Sequence, residues 1–136
     1  SDEYALLIRL HPQVHTGEVN AGESAIDMTG YPDVGELVRI CDLLITDYSS
    51  ICMDFALLKK PCLFYAFDLE EYERERSFFF SYEDYVPGKT AKTFDGLLDM
   101  IASEDFGKDR QEKFREFNFD VFDGKSAART VDAIVK

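Results

Sequence analysis

Thr46-Asp47-Tyr48-Ser49-Ser50 stands where an apolar segment, residues 42–46, gives way to a helical pattern starting at Ile51. In open α/β sheets ligands bind at such strand-to-helix junctions, because free amides and the helix dipole favour an anion there. The hydroxyls of Thr46, Ser49 and Ser50 would add donors to a phosphate. Asp47 is an acceptor when ionised and suits a helix cap, the orientation of a hydroxyl, or contact with a sugar or polyol hydroxyl. An ordinary capped turn uses the same residue types, so the motif alone leaves both readings open.

Arg9-Leu10-His11-Pro12 forms a second candidate. Alternation along a strand places Arg9 and His11 on one face at its carboxyl end, the same edge as Thr46 to Ser50, where two cationic donors could meet one phosphate. An arginine ending an apolar strand is costly to bury unpaired, so an anionic partner is expected, either a ligand phosphate or a carboxylate of this acidic chain. His11 alone reads more simply as a core histidine bonded to backbone, and His15 as a solvated loop residue. Asp33 and Glu36 open a helix where acidic side chains suit the dipole, and either is also placed to meet ribose hydroxyls. Asp123-Gly124-Lys125-Ser126 looks like the end of a phosphate-binding loop, but Phe119 occupies the position of the required glycine and no strand precedes it, which excludes that motif. Ser126 and Arg129, near a helix start, remain candidate phosphate contacts. Tyr65, Phe67 and Phe78 to Phe80 read as core rather than a base-stacking platform.

The elements that must position these residues follow from apolar patterning. Residues 4–11, 24–28, 42–46 and 61–66 read as strands, several of them apolar on both faces as in a covered parallel sheet. Residues 32–41 and 51–58 read as helices, the first opened by Pro32 and the second complemented at its end by Lys59 and Lys60 before Pro61. Residues 68–92 show no clean period and are expected to form a packed excursion without regular elements. Three closing helices are expected over 93–102, 108–117 and 125–135, the last turning Ala128, Val131, Ile134 and Val135 to the core. The alternation predicts a doubly wound α/β sheet. A chain of 136 residues with 46% hydrophobic and 31% charged residues fits a single domain with one core. Its net charge of −12, without a basic stripe, argues against nucleic-acid or anionic-lipid surfaces. No apolar run is long enough to span a bilayer, and no leader pattern opens the sequence. Cys41, Cys52 and Cys62 match no zinc or redox spacing and read as buried thiols in a reducing compartment, so no metal site is expected.

Taken together, Arg9-Leu10-His11-Pro12, Tyr31-Pro32-Asp33 through Glu36-Leu37, and Asp42 through Ser50 resemble the CDP-glycerol glycerophosphotransferase family. Asp54-Phe55-Ala56, Lys60-Pro61, Tyr65-Ala66-Phe67-Asp68, Glu71-Tyr72 and Asp123-Gly124 to Arg129 extend the resemblance over nearly the whole chain. It implies a two-domain GT-B architecture in which this chain, residues 1–136, is the C-terminal, Rossmann-like, nucleotide-binding half. The expected fold is α/β, with a mostly parallel sheet of about four strands flanked by helices. The family pattern places a further strand and helix before the Arg9 strand, so a domain truncated at its N-terminus is expected, the first and third strands closing on each other or leaving a gap.

By the same resemblance, Arg9 and His11 look like pyrophosphate ligands of a CDP-glycerol or related CDP-polyol donor. Thr46, Asp47, Ser49 and Ser50 would complete the cradle. His11 would act catalytically by neutralising the CMP leaving group. The family's general base resembles a histidine of the other domain, which would also approach a lipid-linked polyol phosphate acceptor. No cofactor is implied, and the implied location is cytoplasmic, peripheral at the inner face of the bacterial plasma membrane. Two other readings remain: the donor half of another GT-B enzyme, such as a sugar-nucleotide epimerase or glycosyltransferase, and a receiver-like interaction module. The latter needs an acidic pair at the carboxyl end of its first strand, whereas Asp2 and Glu3 precede it.

Overall fold

The computed structural model describes residues 4–11, 22 and 24–135. The chain divides into two compact units, residues 1–37 and 38–136. In the first, β1 (Leu6–Ile8) and β2 (Ala25–Asp27) pair in parallel, Leu7 opposite Ile26. The Met28 amide prolongs the ladder by donating to the Ile8 carbonyl at 2.7 Å. The strand expected over 4–11 thus covers only three residues, and Arg9 to His11 lie beyond its end. Helix α1 (Val34–Ile40) follows, capped by Asp33, whose Oδ1 accepts from the amides of Gly35 at 2.8 Å and Glu36 at 3.3 Å. Pro32 therefore precedes the cap instead of opening the helix.

The second unit is built on a parallel sheet in the order β3 (Leu44–Thr46), β4 (Cys62–Tyr65), β5 (Lys89–Ala91). Strand β4 is central and apolar on both faces, and its alternation separates two core layers. Cys62 and Phe64 pack with Val38, Cys52, Phe55, Ala66, Leu69, Tyr82 and Val86. Leu63 turns the other way, to Ala91 and Leu97. Helix α2 (Ile51–Leu57) supplies Cys52, Phe55 and Ala56, three and four residues apart and all buried. Helix α5 (Phe94–Ala102), capped by the Thr93 hydroxyl accepting from the Gly96 amide, buries Leu97 against the second layer.

The segment 68–92, expected to be irregular, holds α3 (Leu69–Arg76), α4 (Tyr82–Tyr85) and β5. Leu69 is the sole buried residue of the charged α3, so no apolar stripe advertises that helix. The three-residue edge strand β5 is equally silent, and Gly88 before it lets the chain approach β4: a Cβ there would lie 2.0 Å from the Cys62 carbonyl oxygen. Among the described residues the strands form a two-stranded sheet, β1-β2, and a three-stranded sheet, β3-β4-β5.

Helices α6 (Lys108–Asn118) and α7 (Ser126–Ile134) close the chain. Phe114 and Gln111 of α6 are buried. The expectation that α7 faces the core is corrected: none of its residues is buried, and Ile134 and Val135 are 77% and 78% exposed. Its periodicity records an apolar face but carries no information about what covers that face. Lys60 likewise serves a different helix from the one expected, its Nζ donating to the carbonyls of Arg39 and Cys41 at the end of α1, both at 2.7 Å. Among the described residues no helix is long and apolar enough to cross a membrane.

Candidate functional site

Thr46 ends β3 opposite Phe64, at the carboxyl edge of the parallel sheet, and residues 47–50 turn the chain into α2. The turn is open. Ser50 is exposed, and although it is the N-cap of α2 its hydroxyl makes no capping bond. Ser49 Oγ accepts from the Ile51 amide at 3.4 Å. No acceptor among the described residues takes the amides of Ser49 or Ser50, and the exposed Asp47 carboxylate has no hydrogen-bond donor there. Amides, hydroxyls and a carboxylate thus share one short turn, a set suited to a phosphate with a neighbouring polyol or sugar hydroxyl.

What holds the turn comes from far along the chain. Tyr82, 5% exposed, donates its hydroxyl to the Asp47 carbonyl at 2.7 Å. Tyr48 donates to Asp68 Oδ1 at 2.7 Å and stacks on Tyr72 with ring centroids 3.7 Å apart. Burial, and then the Asp68 contact, push the Tyr48 phenol well above its ordinary titration range; burial does the same to Tyr82. Both therefore remain donors at neutral pH. Sequence reading placed Tyr48 in the motif without a role, quoted Asp68 only as part of the family pattern, and passed over Tyr82. The stretch Tyr65 to Asp68 was visible as a pattern, but a bond spanning 35 residues leaves no local signal.

In the first unit Arg9 is half-buried, and its Nη1 donates to the Met28 carbonyl at 3.0 Å and to the Tyr31 carbonyl. The anionic partner expected of Arg9 is thus replaced, in these contacts, by two main-chain oxygens. His11 is exposed. Asp33 is occupied as the α1 cap, and Glu36 Oε2 accepts from the Tyr31 hydroxyl at 2.6 Å. His15 lies outside the described residues. Ser126 and Arg129 form a closed cluster: Arg129 Nη1 contacts both Asp123 oxygens at 2.8 Å, and its Nη2 reaches Ser126 Oγ at 3.0 Å. The guanidinium, followed by the Lys125 amide, holds the Asp123 carboxyl below its ordinary range.

Among the described residues no group of three or more His, Cys, Asp or Glu is arranged to hold a metal. A groove of about 610 Å³, lined by Phe80, Tyr85, Arg110, Lys113 and Phe117 among others, shares none of the residues at the turn.

A family model described as CDP-Glycerol:Poly(glycerophosphate) glycerophosphotransferase matches residues 1–136. The chain belongs to this family. A teichoic acid poly(ribitol-phosphate) polymerase of Bacillus spizizenii is 37% identical over 137 residues, covering 98% of this chain and 22% of the relative. A teichoic acid glycerol-phosphate transferase of Staphylococcus aureus is 33% identical, covering 99% of this chain and 36% of the relative. The wall teichoic acid polymerase TagF superposes with a TM-score of 0.78 at 31% identity, over 98% of this chain and 35% of TagF. A variant of TagF soaked with CDPG superposes with a TM-score of 0.76. The chain thus has the α/β, Rossmann-like fold of part of a GT-B architecture, and it spans about a third or less of these relatives.

Proposed function

We propose that this chain is the donor-binding domain of a larger two-domain enzyme, taking CDP-glycerol or a related CDP-polyol and delivering polyol phosphate to a lipid-linked polyol phosphate. The observation that carries the reading is the open Thr46 to Ser50 turn, at the carboxyl edge of a parallel sheet, in a chain matched end to end by the family. The CDPG soak of the related TagF supports a cytidine donor. In this reading the amides and hydroxyls of Thr46, Ser49 and Ser50 receive the donor's phosphates, and Asp47 accepts from a polyol or ribose hydroxyl. Arg9 and His11 supply positive charge to the pyrophosphate. His11 offsets the charge that builds on the bridging oxygen as CMP leaves.

Asp33 and Glu36 are assigned to ribose hydroxyls only in addition to the bonds they already make. Arg129 would have to release Asp123 to reach a phosphate, and Ser126 Oγ already accepts from Arg129. The general base and the acceptor site are assigned to the remainder of the enzyme, so this chain alone is expected to bind donor and turn nothing over. Its proposed place is the cytoplasmic face of the plasma membrane, held peripherally.

Thermal shifts with CDP, UDP, GDP, CDP-glycerol and CDP-ribitol test the reading. A ligand at 100 times its dissociation constant adds about 2.7 kcal/mol to stability. Shifts confined to the cytidine compounds are expected. Equal or larger shifts with UDP or GDP would instead point to a sugar-nucleotide epimerase or glycosyltransferase half.

A further inference from the structure

We infer that Tyr82 and the Tyr48–Asp68 pair are positioning groups for the donor turn, so that the segment carrying α3 and α4 sets the aim of the amides that meet phosphate; this rests on the donor-site reading above. Two phenols make the connection. The Tyr82 hydroxyl holds the Asp47 carbonyl at 2.7 Å, and a planar trans peptide forces the following amide, that of Tyr48, to point away from Tyr82. One residue on, the Tyr48 side chain is fixed in turn by Asp68 at 2.7 Å. Tyr48, the residue that leads into Ser49, is therefore anchored both at the peptide before it and through its side chain.

The anchors are themselves packed against other rings. Tyr82 is buried, with its ring at right angles to Phe64 of the central strand at 6.0 Å. Tyr48 packs face to face on Tyr72 and edge-on to Tyr82, and Phe78 stacks on Tyr72 at 5.4 Å. Apolar packing alone would bury these rings equally well with phenylalanine. The hydroxyls are spent on the two residues immediately before Ser49, where they bear on the direction of the open amides. A site held by groups that are themselves locked binds without paying to order itself.

The test uses Tyr82→Phe, Asp68→Ala and Asp68→Asn in this chain, with three readouts: NMR shifts and order parameters of the Ser49 and Ser50 amides, calorimetric titration with CDP, and the unfolding midpoint. Tyr82→Phe is expected to lower the order of both amides and weaken CDP by about 2- to 10-fold, the loss of one neutral hydrogen bond. Asp68→Ala should do the same, and Asp68→Asn should restore both, because the amide oxygen still accepts from Tyr48. Since both Asp68 variants remove the same charge, equal behaviour of the two would overturn the proposal in favour of simple electrostatics. A fall in midpoint with amide order and CDP affinity unchanged would overturn it in favour of core packing. Should Tyr82→Phe fail to fold, the Asp68 pair decides alone. If the parent itself does not bind CDP, the donor reading falls, while the brace still stands or falls on amide order.

Discussion

Arg9 works first as a fastener: its guanidinium ties the end of β1 to main-chain oxygens 19 and 22 residues onward. Arg9→Ala should therefore loosen the first unit, costing on the order of 1.5–3 kcal/mol, and Arg9→Lys should recover only part, since an ammonium lacks the planar fork. Urea unfolding followed by exchange at the β1 and β2 amides checks this, and any loss of CDP affinity in Arg9→Ala must be read beside it. Asp123 gives a second prediction. Its carboxyl is depressed in the folded chain, so its contribution is present above the ordinary value of 3.8 and is lost as pH falls through the lower folded value. A carboxyl titration followed by NMR should place the Asp123 midpoint below 3.8, and Arg129→Ala should return it towards that value. The Thr46 to Ser50 turn was legible because its residue types sit at a strand-to-helix boundary. The partners of Arg9 were not, because a carbonyl acceptor has no residue identity to read.

Several helices end without the glycine that commonly closes them. Lys59 after α2, Ser77 after α3 and Glu104 after α5 all have positive φ. Ser77, at φ 58 and ψ 158, occupies a region essentially reserved for glycine. Ser77→Gly is expected to raise stability by about 1 kcal/mol, seen as a higher urea midpoint at unchanged slope. Gly88→Ala should do the reverse and severely, because the added carbon would collide with the backbone of the central strand; soluble, cooperatively folding protein from that variant would contradict the close approach. Strands β2 to β4 and helices α1, α2, α5 and α6 were legible from apolar period and capping residues. Helix α3 was not, being charged on nearly every position, and neither was β5, which needs only three residues once Gly88 has brought the chain beside β4. The apolar face of α7 was read correctly as apolar and wrongly as buried.

At the scale of the molecule, the second unit depends on neutral groups beside β4. Burial raises the Cys62 thiol to about 12 and the Cys52 thiol to about 11, and lifts the Tyr48 and Tyr82 phenols. Groups raised on folding contribute fully below their unfolded values, 9.0 for the thiols and 10.0 for the phenols, and lose that contribution as pH climbs towards the folded ones. Urea midpoints should accordingly decline from about pH 9 upward, whereas a flat profile to about pH 11 would show these groups titrating as if exposed. These two cysteines, together with Cys41, also make the native chain its own clock. Cys41 is half-exposed, Cys52 sits inside α2 and Cys62 inside β4. An alkylating reagent should consume Cys41 on the folded protein and reach the other two only during excursions that open the core. Mass spectrometry of quenched samples would then read the order of events without any introduced label: Cys52 modified ahead of Cys62 means that the helix lifts before the strand is lost, and equal rates mean that the layer opens as one.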